Sequence, residues 1–110
     1  MSKDHESAPS DLEQRVIIAL DKLNIDYIFQ YVIFGGGTVR GGIIIDFLIS
    51  PFDIPVEVFG DYYHESEFNS EDRMRLSRIE EYFGREVIIF WGHELLTQED
   101  ADRIVKEKLG

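Results

Sequence analysis

Apolar residues recur along this chain with two different periods, and the switches between them outline its elements. Leu12, Val16, Ile17, Ala19, Leu20 and Leu23 fall at helical spacing and predict a helix over residues 11–23 with one buried stripe. Ser10-Asp11-Leu12-Glu13 supplies its start: the Ser10 side chain is placed to accept from the Glu13 amide while the Glu13 carboxylate reaches back. Asn24 is a stop. Residues 27–34 are aromatic and β-branched and read as a strand. Gly35-Gly36-Gly37 turns the chain, and residues 38–40 extend one strand edge before Gly41-Gly42.

Residues 43–49, Ile-Ile-Ile-Asp-Phe-Leu-Ile, are a nearly continuous apolar run, the pattern of a central strand buried on both faces. A turn at Ser50-Pro51-Phe52-Asp53 leads to a further strand over residues 54–59, with Pro55 near its start, where a missing amide does least harm. Residues 60–69 read as loop. Ser70 is placed as an N-cap, with Glu71 and Asp72 in a first turn where negative charge suits the helix dipole. Met74, Leu76, Ile79, Tyr82 and Phe83 mark the apolar side of that helix, which ends at Gly84. Residues 86–91 form a last strand, and Thr97-Gln98-Glu99-Asp100 opens a last helix through residue 109 with Ala101, Ile104, Val105 and Leu109 inward. The expected fold is α/β: one small domain over residues 10–110, a mixed β-sheet flanked by helices in the order αβββαβα, behind a flexible polar tail of residues 1–9.

Length and composition agree with one self-sufficient core: 110 residues, 44% of them hydrophobic. The absence of cysteine excludes disulfide scaffolds, thiolate metal sites and cysteine nucleophiles. No apolar run reaches the roughly 20 residues of a membrane span, and the tail lacks the apolar core of a secretory signal, so a cytoplasmic protein is expected. Charge changes the picture more. The net charge of -11 opposes any general electrostatic grip on nucleic acid. Its distribution is uneven. No lysine or arginine stands between Arg40 and Arg73, a stretch holding Asp46, Asp53, Glu57, Asp61, Glu65, Glu67, Glu71 and Asp72. Arg73, Arg75, Arg78 and Arg85 then follow. Two accounts fit: a solvated acidic surface, or a divalent-metal site beside an arginine face that holds phosphates.

Asp46 and Glu57 are the candidates for chemistry. Each is an acid inside an apolar strand, where a carboxylate is costly unless paired, protonated or bound to metal. If the strands are adjacent, both carboxylates project at one level and suit Mg²⁺, which takes few protein oxygens and keeps water for a hydrolytic attack. Each alone reads equally well as a solvent-facing or arginine-paired strand residue. His64, in Gly60-Asp61-Tyr62-Tyr63-His64, reads as a general base or proton relay, or as a loop histidine capping a carbonyl. Asp72 is placed to orient His64 or to satisfy the helix dipole. Arg73 reads as a phosphate contact or a surface arginine. The capping box accounts for Glu13.

In order and spacing these segments resemble the PD-(D/E)XK nuclease superfamily, and within it the very-short-patch-repair-like endonucleases. The likeness is carried by an early acid in the first helix (Glu13), an aromatic strand with Phe29-Gln30, and Ile44-Ile45-Asp46-Phe47. It continues in Val56-Glu57-Val58-Phe59-Gly60-Asp61-Tyr62-Tyr63-His64, a helix opening Asp72-Arg73, and the strand Val87-Ile88-Ile89-Phe90-Trp91. The resemblance implies a nuclease that uses Mg²⁺ (or Mn²⁺) to hydrolyse DNA. It implies Asp46 and Glu57 at the metal, His64 as base or proton carrier, Asp72 as its orienting partner, and Glu13 at the metal edge. Arg73, Arg40 and Arg75 are then the phosphate contacts. Phe59 stands where the superfamily often has lysine, a residue the very-short-patch-repair branch also lacks. The expected partner is DNA, with a protein partner or a homodimer left open. A second reading keeps the fold without catalysis, as an interaction or structural module; the acid excess and Phe59 motivate it.

Overall fold

The computed structural model describes residues 8–36, 41–60 and 68–110. Helix α1 spans Asp11–Lys22, β1 Tyr27–Ile33, β2 Ile43–Ile49, β3 Ile54–Phe59, α2 Ser70–Phe83, β4 Ile88–Trp91 and α3 Gln98–Leu109. The sheet runs β1-β2-β3-β4, with the first two pairings antiparallel and β3 parallel to β4. A parallel pair needs a crossover, and α2 supplies it. This is the mixed α/β domain the hydrophobic pattern predicts. Among the described residues, no helix is long and apolar enough to cross a membrane.

Local chemistry explains the element ends. Ser10 and Glu13 form the capping box of α1, with Ser10 N–H donating to Glu13 Oε1 (2.9 Å) and Glu13 N–H to Ser10 Oγ (3.2 Å). For α2 the N-cap is Asn69 rather than Ser70. Asn69 Oδ1 accepts from the Asp72 amide (2.8 Å) and Asp72 Oδ2 from the Asn69 amide (3.1 Å), so Asp72 at the third helical position selects the cap. Gly84 closes α2 in the left-handed region, φ 68°, where a side chain would be strained. Strand β4 is shorter than expected and starts at Ile88, because the Val87 amide is taken by the Glu80 carboxylate (3.1 Å). A 3-10 turn, Gly92–Glu94, follows it, a feature with no signal in the hydrophobic pattern.

Two hydrophobic clusters hold the layers together. The larger joins Val16, Ala19 and Leu20 of α1 and Ala101 and Val105 of α3 to Phe47, Ile49, Val56, Val58 and Phe90 of the sheet. The smaller joins Ile79 of α2 to Ile33, Ile43 and Ile45. Strand β2 is buried along its whole length, as its unbroken apolar run requires. Along β1 and β2 the change from one cluster to the other falls at a single row: Tyr27, Phe29, Phe47 and Ile49 belong to the first, Tyr31, Ile33, Ile43 and Ile45 to the second. Gln30 and Asp46 lie between these two sets, at the one position where the β1–β2 register is interrupted.

Candidate active site

Strands β2 and β3 pair over only three rows, ending at Phe47 opposite Val56. One row further on, Asp46 would face Glu57, but the strands part there. Strand β2 stays with β1 through Ile43, and β3 turns to β4 with Glu57 opposite Ile89. A fork in a sheet leaves buried amides without ladder partners, and such groups must be satisfied some other way.

The two acids satisfy them. Asp46 N–H donates to Glu57 Oε2 (2.9 Å), and Val58 N–H donates to Asp46 Oδ2 (2.7 Å). Each carboxylate crosses the fork to take an amide of the other strand. Amide donors aimed at a carboxylate make charge-assisted bonds, which hold both side chains across the fork. Glu57 is wholly buried and Asp46 nearly so. A buried carboxylate needs a counter-charge, and α2 delivers one. Arg75 pairs with Glu57 Oε1 and donates through its other terminal nitrogen to the Ile44 carbonyl (2.7 Å). Its planar guanidinium thus spans both arms of the fork.

The other sequence candidates are placed as follows. Glu13 is held in the α1 capping box and Asp72 in that of α2. Among the described residues no three histidine, aspartate or glutamate side chains form a group able to hold a metal, so Glu13 does not join Asp46 and Glu57 as a third acid. Arg73 lines a cleft of about 400 Å³ with Phe68, Leu76, Glu80, Glu86, Val87, Ile89 and Trp91. Ile89 is the row partner of Glu57, so this cleft borders the fork. His64 and Arg40 lie outside the described residues. Phe59, at the position where the superfamily often has lysine, packs against Phe68 (5.0 Å between ring centroids) and Trp91 (5.7 Å).

Sequence reasoning missed two features here. Arg75 reads from the chain as a phosphate contact, whereas it neutralises Glu57; a salt bridge across 18 residues of sequence has no local signature. Gln30 adopts φ 57°, a left-handed conformation rare for a residue with a side chain, and the β1–β2 register is interrupted there, between Phe29 opposite Phe47 and Tyr31 opposite Ile45. Backbone strain of that kind clusters at functional sites. The available signal was weak: Gln30 is the one polar amide in an aromatic and β-branched strand.

The fork carries a donor set that fits a hard divalent cation. Two carboxylates from adjacent strands and the Ile44 carbonyl offer oxygen only, the ligand chemistry of Mg²⁺ and Mn²⁺. The Arg75 guanidinium acts as a stand-in: it marks an oxygen-lined seat for positive charge between Glu57 and Ile44.

No protein-family model matches the chain, and no curated protein matches it. Among solved structures it is similar to the catalytic domain of homing endonuclease I-Bth0305I. The TM-score is 0.62 with 22% identity, over 90% of this chain and 93% of that one. At that identity the likeness is one of fold. It spans nearly the whole chain.

Proposed function

We propose that this protein is a magnesium-dependent DNA endonuclease of the very-short-patch-repair-like type, hydrolysing phosphodiester bonds at the Asp46–Glu57 fork. The observation that carries the reading is the fork itself: two buried carboxylates fixed by each other's strand, beside an oxygen-lined seat for a cation. The fold likeness to a homing endonuclease catalytic domain supports it from a separate direction.

In this reading Asp46 and Glu57 hold Mg²⁺ or Mn²⁺. When bound there, the ion would supply Lewis-acid polarisation of a phosphate and lower the pKa of a water. The chain's own residues do the rest. The amides of Asp46 and Val58 fix the carboxylate oxygens before substrate arrives, which is the preorganisation such a site needs. His64 serves as general base or proton carrier and Asp72 orients it, while Glu13 stays in the α1 capping box. Arg73, at the bordering cleft, and Arg40 contact phosphates, where planar guanidinium donors suit the geometry.

The grip on DNA is weak and salt-sensitive. Much of the positive charge is already engaged: Lys22 with Asp102, Arg103 with Asp100, Lys108 with Glu94, and Arg75 with Glu57. Repair, restriction and mobile-element roles all accommodate such an enzyme.

The test is cleavage of supercoiled, linear, mismatched and branched DNA by the full chain, with Mg²⁺, Mn²⁺ and a chelator. Metal-dependent nicking that Asp46→Asn abolishes, with unfolding unchanged, is the expected result. Wild-type cleavage by Asp46→Asn would sink the assignment. A non-catalytic interaction module is favoured instead by Phe59, whose ring is committed to the Phe68–Trp91 cluster. Calorimetric titration separates the two, since the module predicts no Mn²⁺ binding at millimolar metal.

A further inference from the structure

We propose that Arg75 and a divalent cation are mutually exclusive counter-charges at the Glu57 carboxylate, so that Arg75 competes with the metal and keeps the fork neutralised until a cation displaces it. This rests on the reading of the fork as a metal site, and extends it to how that site is held when no metal is bound.

Glu57 has no exposed surface, so in its ionised form it requires a positive partner. Its two oxygens are held by groups of different kinds. Oε2 takes the Asp46 amide, a donor fixed in the backbone of β2. Oε1 takes the Arg75 guanidinium, which stands at the end of a flexible side chain. The second partner can leave without moving a strand; the first cannot. The Arg75 side chain is 25% exposed, so a path from the fork to solvent exists along it.

The seat accommodates one positive group. Arg75 occupies Glu57 Oε1 and the Ile44 carbonyl together, the same oxygens that a cation entering between β2 and β3 would use. Two cationic groups on one carboxylate oxygen repel strongly in a site sheltered from water. Metal entry therefore drives the guanidinium out. A displaced arginine retains its five donors and planar shape, which match a phosphate. Anything that holds Arg75 in its outward position then tightens metal binding, and metal tightens the contact to that anion, because coupling between sites is reciprocal.

The experiment is calorimetric titration of Mn²⁺ into the full chain, comparing wild type, Arg75→Gln and Arg78→Gln. Arg78 lies on the same helix with its guanidinium over the Phe34 ring (4.6 Å), and it reports the general effect of losing a charge. Competition predicts that Arg75→Gln binds Mn²⁺ about tenfold or more tightly than wild type, with little change in Arg78→Gln. It also predicts a larger metal-induced rise in unfolding temperature for Arg75→Gln. Equal or weaker binding by Arg75→Gln, or the same gain in Arg78→Gln, overturns the competition while leaving the metal site standing. No binding by any of the three proteins overturns both.

A second measurement needs no variant. In wild type, the Arg75 contacts to Glu57 and Ile44 predict guanidinium proton signals that are shifted and protected without metal. Saturating Mg²⁺ moves them toward solvent-exposed values; signals unchanged by bound Mg²⁺ refute the displacement.

Discussion

Replacing Asp46 by alanine and by asparagine separates what its side chain does for the strands from what its charge does for chemistry. Asp46 Oδ2 accepts the Val58 amide at 2.7 Å, where β2 and β3 no longer pair. Alanine removes the acceptor and leaves a buried N–H without that partner, which costs about 1–3 kcal/mol. Asparagine keeps an amide oxygen in reach of the same N–H. It loses the charge assistance of the bond, but it also relieves repulsion from the adjacent Glu57 carboxylate, so its net effect stays within about 1 kcal/mol.

The expected gap between the two variants is about 2 kcal/mol. With a urea slope of about 1–2 kcal/mol per molar for a small domain, that gap is a difference of about 1–2 M in unfolding midpoint. The assay is urea unfolding followed by Trp91 fluorescence, with cleavage measured on the same preparations. Both variants lose cleavage; only alanine loses the midpoint. Coincident midpoints would refute the claim that the carboxylate replaces a ladder partner for Val58. For the same reason asparagine is the sound control for activity, since an inactive alanine variant confounds chemistry with a loosened fork.

The remaining predictions concern the frame. Asn69→Ala lowers thermal stability by about 1 kcal/mol while Ser70→Ala stays within about 0.5 kcal/mol, because the reciprocal bonds with Asp72 belong to Asn69; equal losses would return the cap to Ser70. The Lys22 hydrogen bond, followed by that of Gln98, holds the Asp102 carboxyl below the ordinary carboxylate range. A folded pKa below the unfolded one gives stability that is fully present above the unfolded value and lost as pH falls through the folded one. Asp102→Asn is therefore less stable than wild type near neutrality, by under about 1 kcal/mol for so exposed a pair, and the gap closes in acid. Denaturant midpoints across a pH series check the sign; a gap that widens in acid contradicts it.

Much of the frame was legible along the chain because its causes are local. The apolar run that makes β2 a buried centre strand is visible residue by residue, and so is the misfit of Asp46 inside it. The capping box at Ser10 and Glu13 and the glycine stop at Gly84 depend on neighbours within one helical turn. The choice between Asn69 and Ser70 shows the limit of such signals. Both residues cap well, and the third helical residue after Asn69 decided between them.

The chain alone shows the elements, their order, and two acids out of place in apolar strands. How those acids are used is set by contacts between distant parts of the chain. Register brought Asp46 and Glu57 to the row where β2 and β3 part, and the lost ladder bonds turned both side chains into backbone acceptors. The crossover helix then brought Arg75 over the fork, 18 residues from Glu57 and 31 from Ile44 along the chain. Periodicity records which way a residue faces. It carries no record of which strand ends beside which, and the balance of charge at this site is set there.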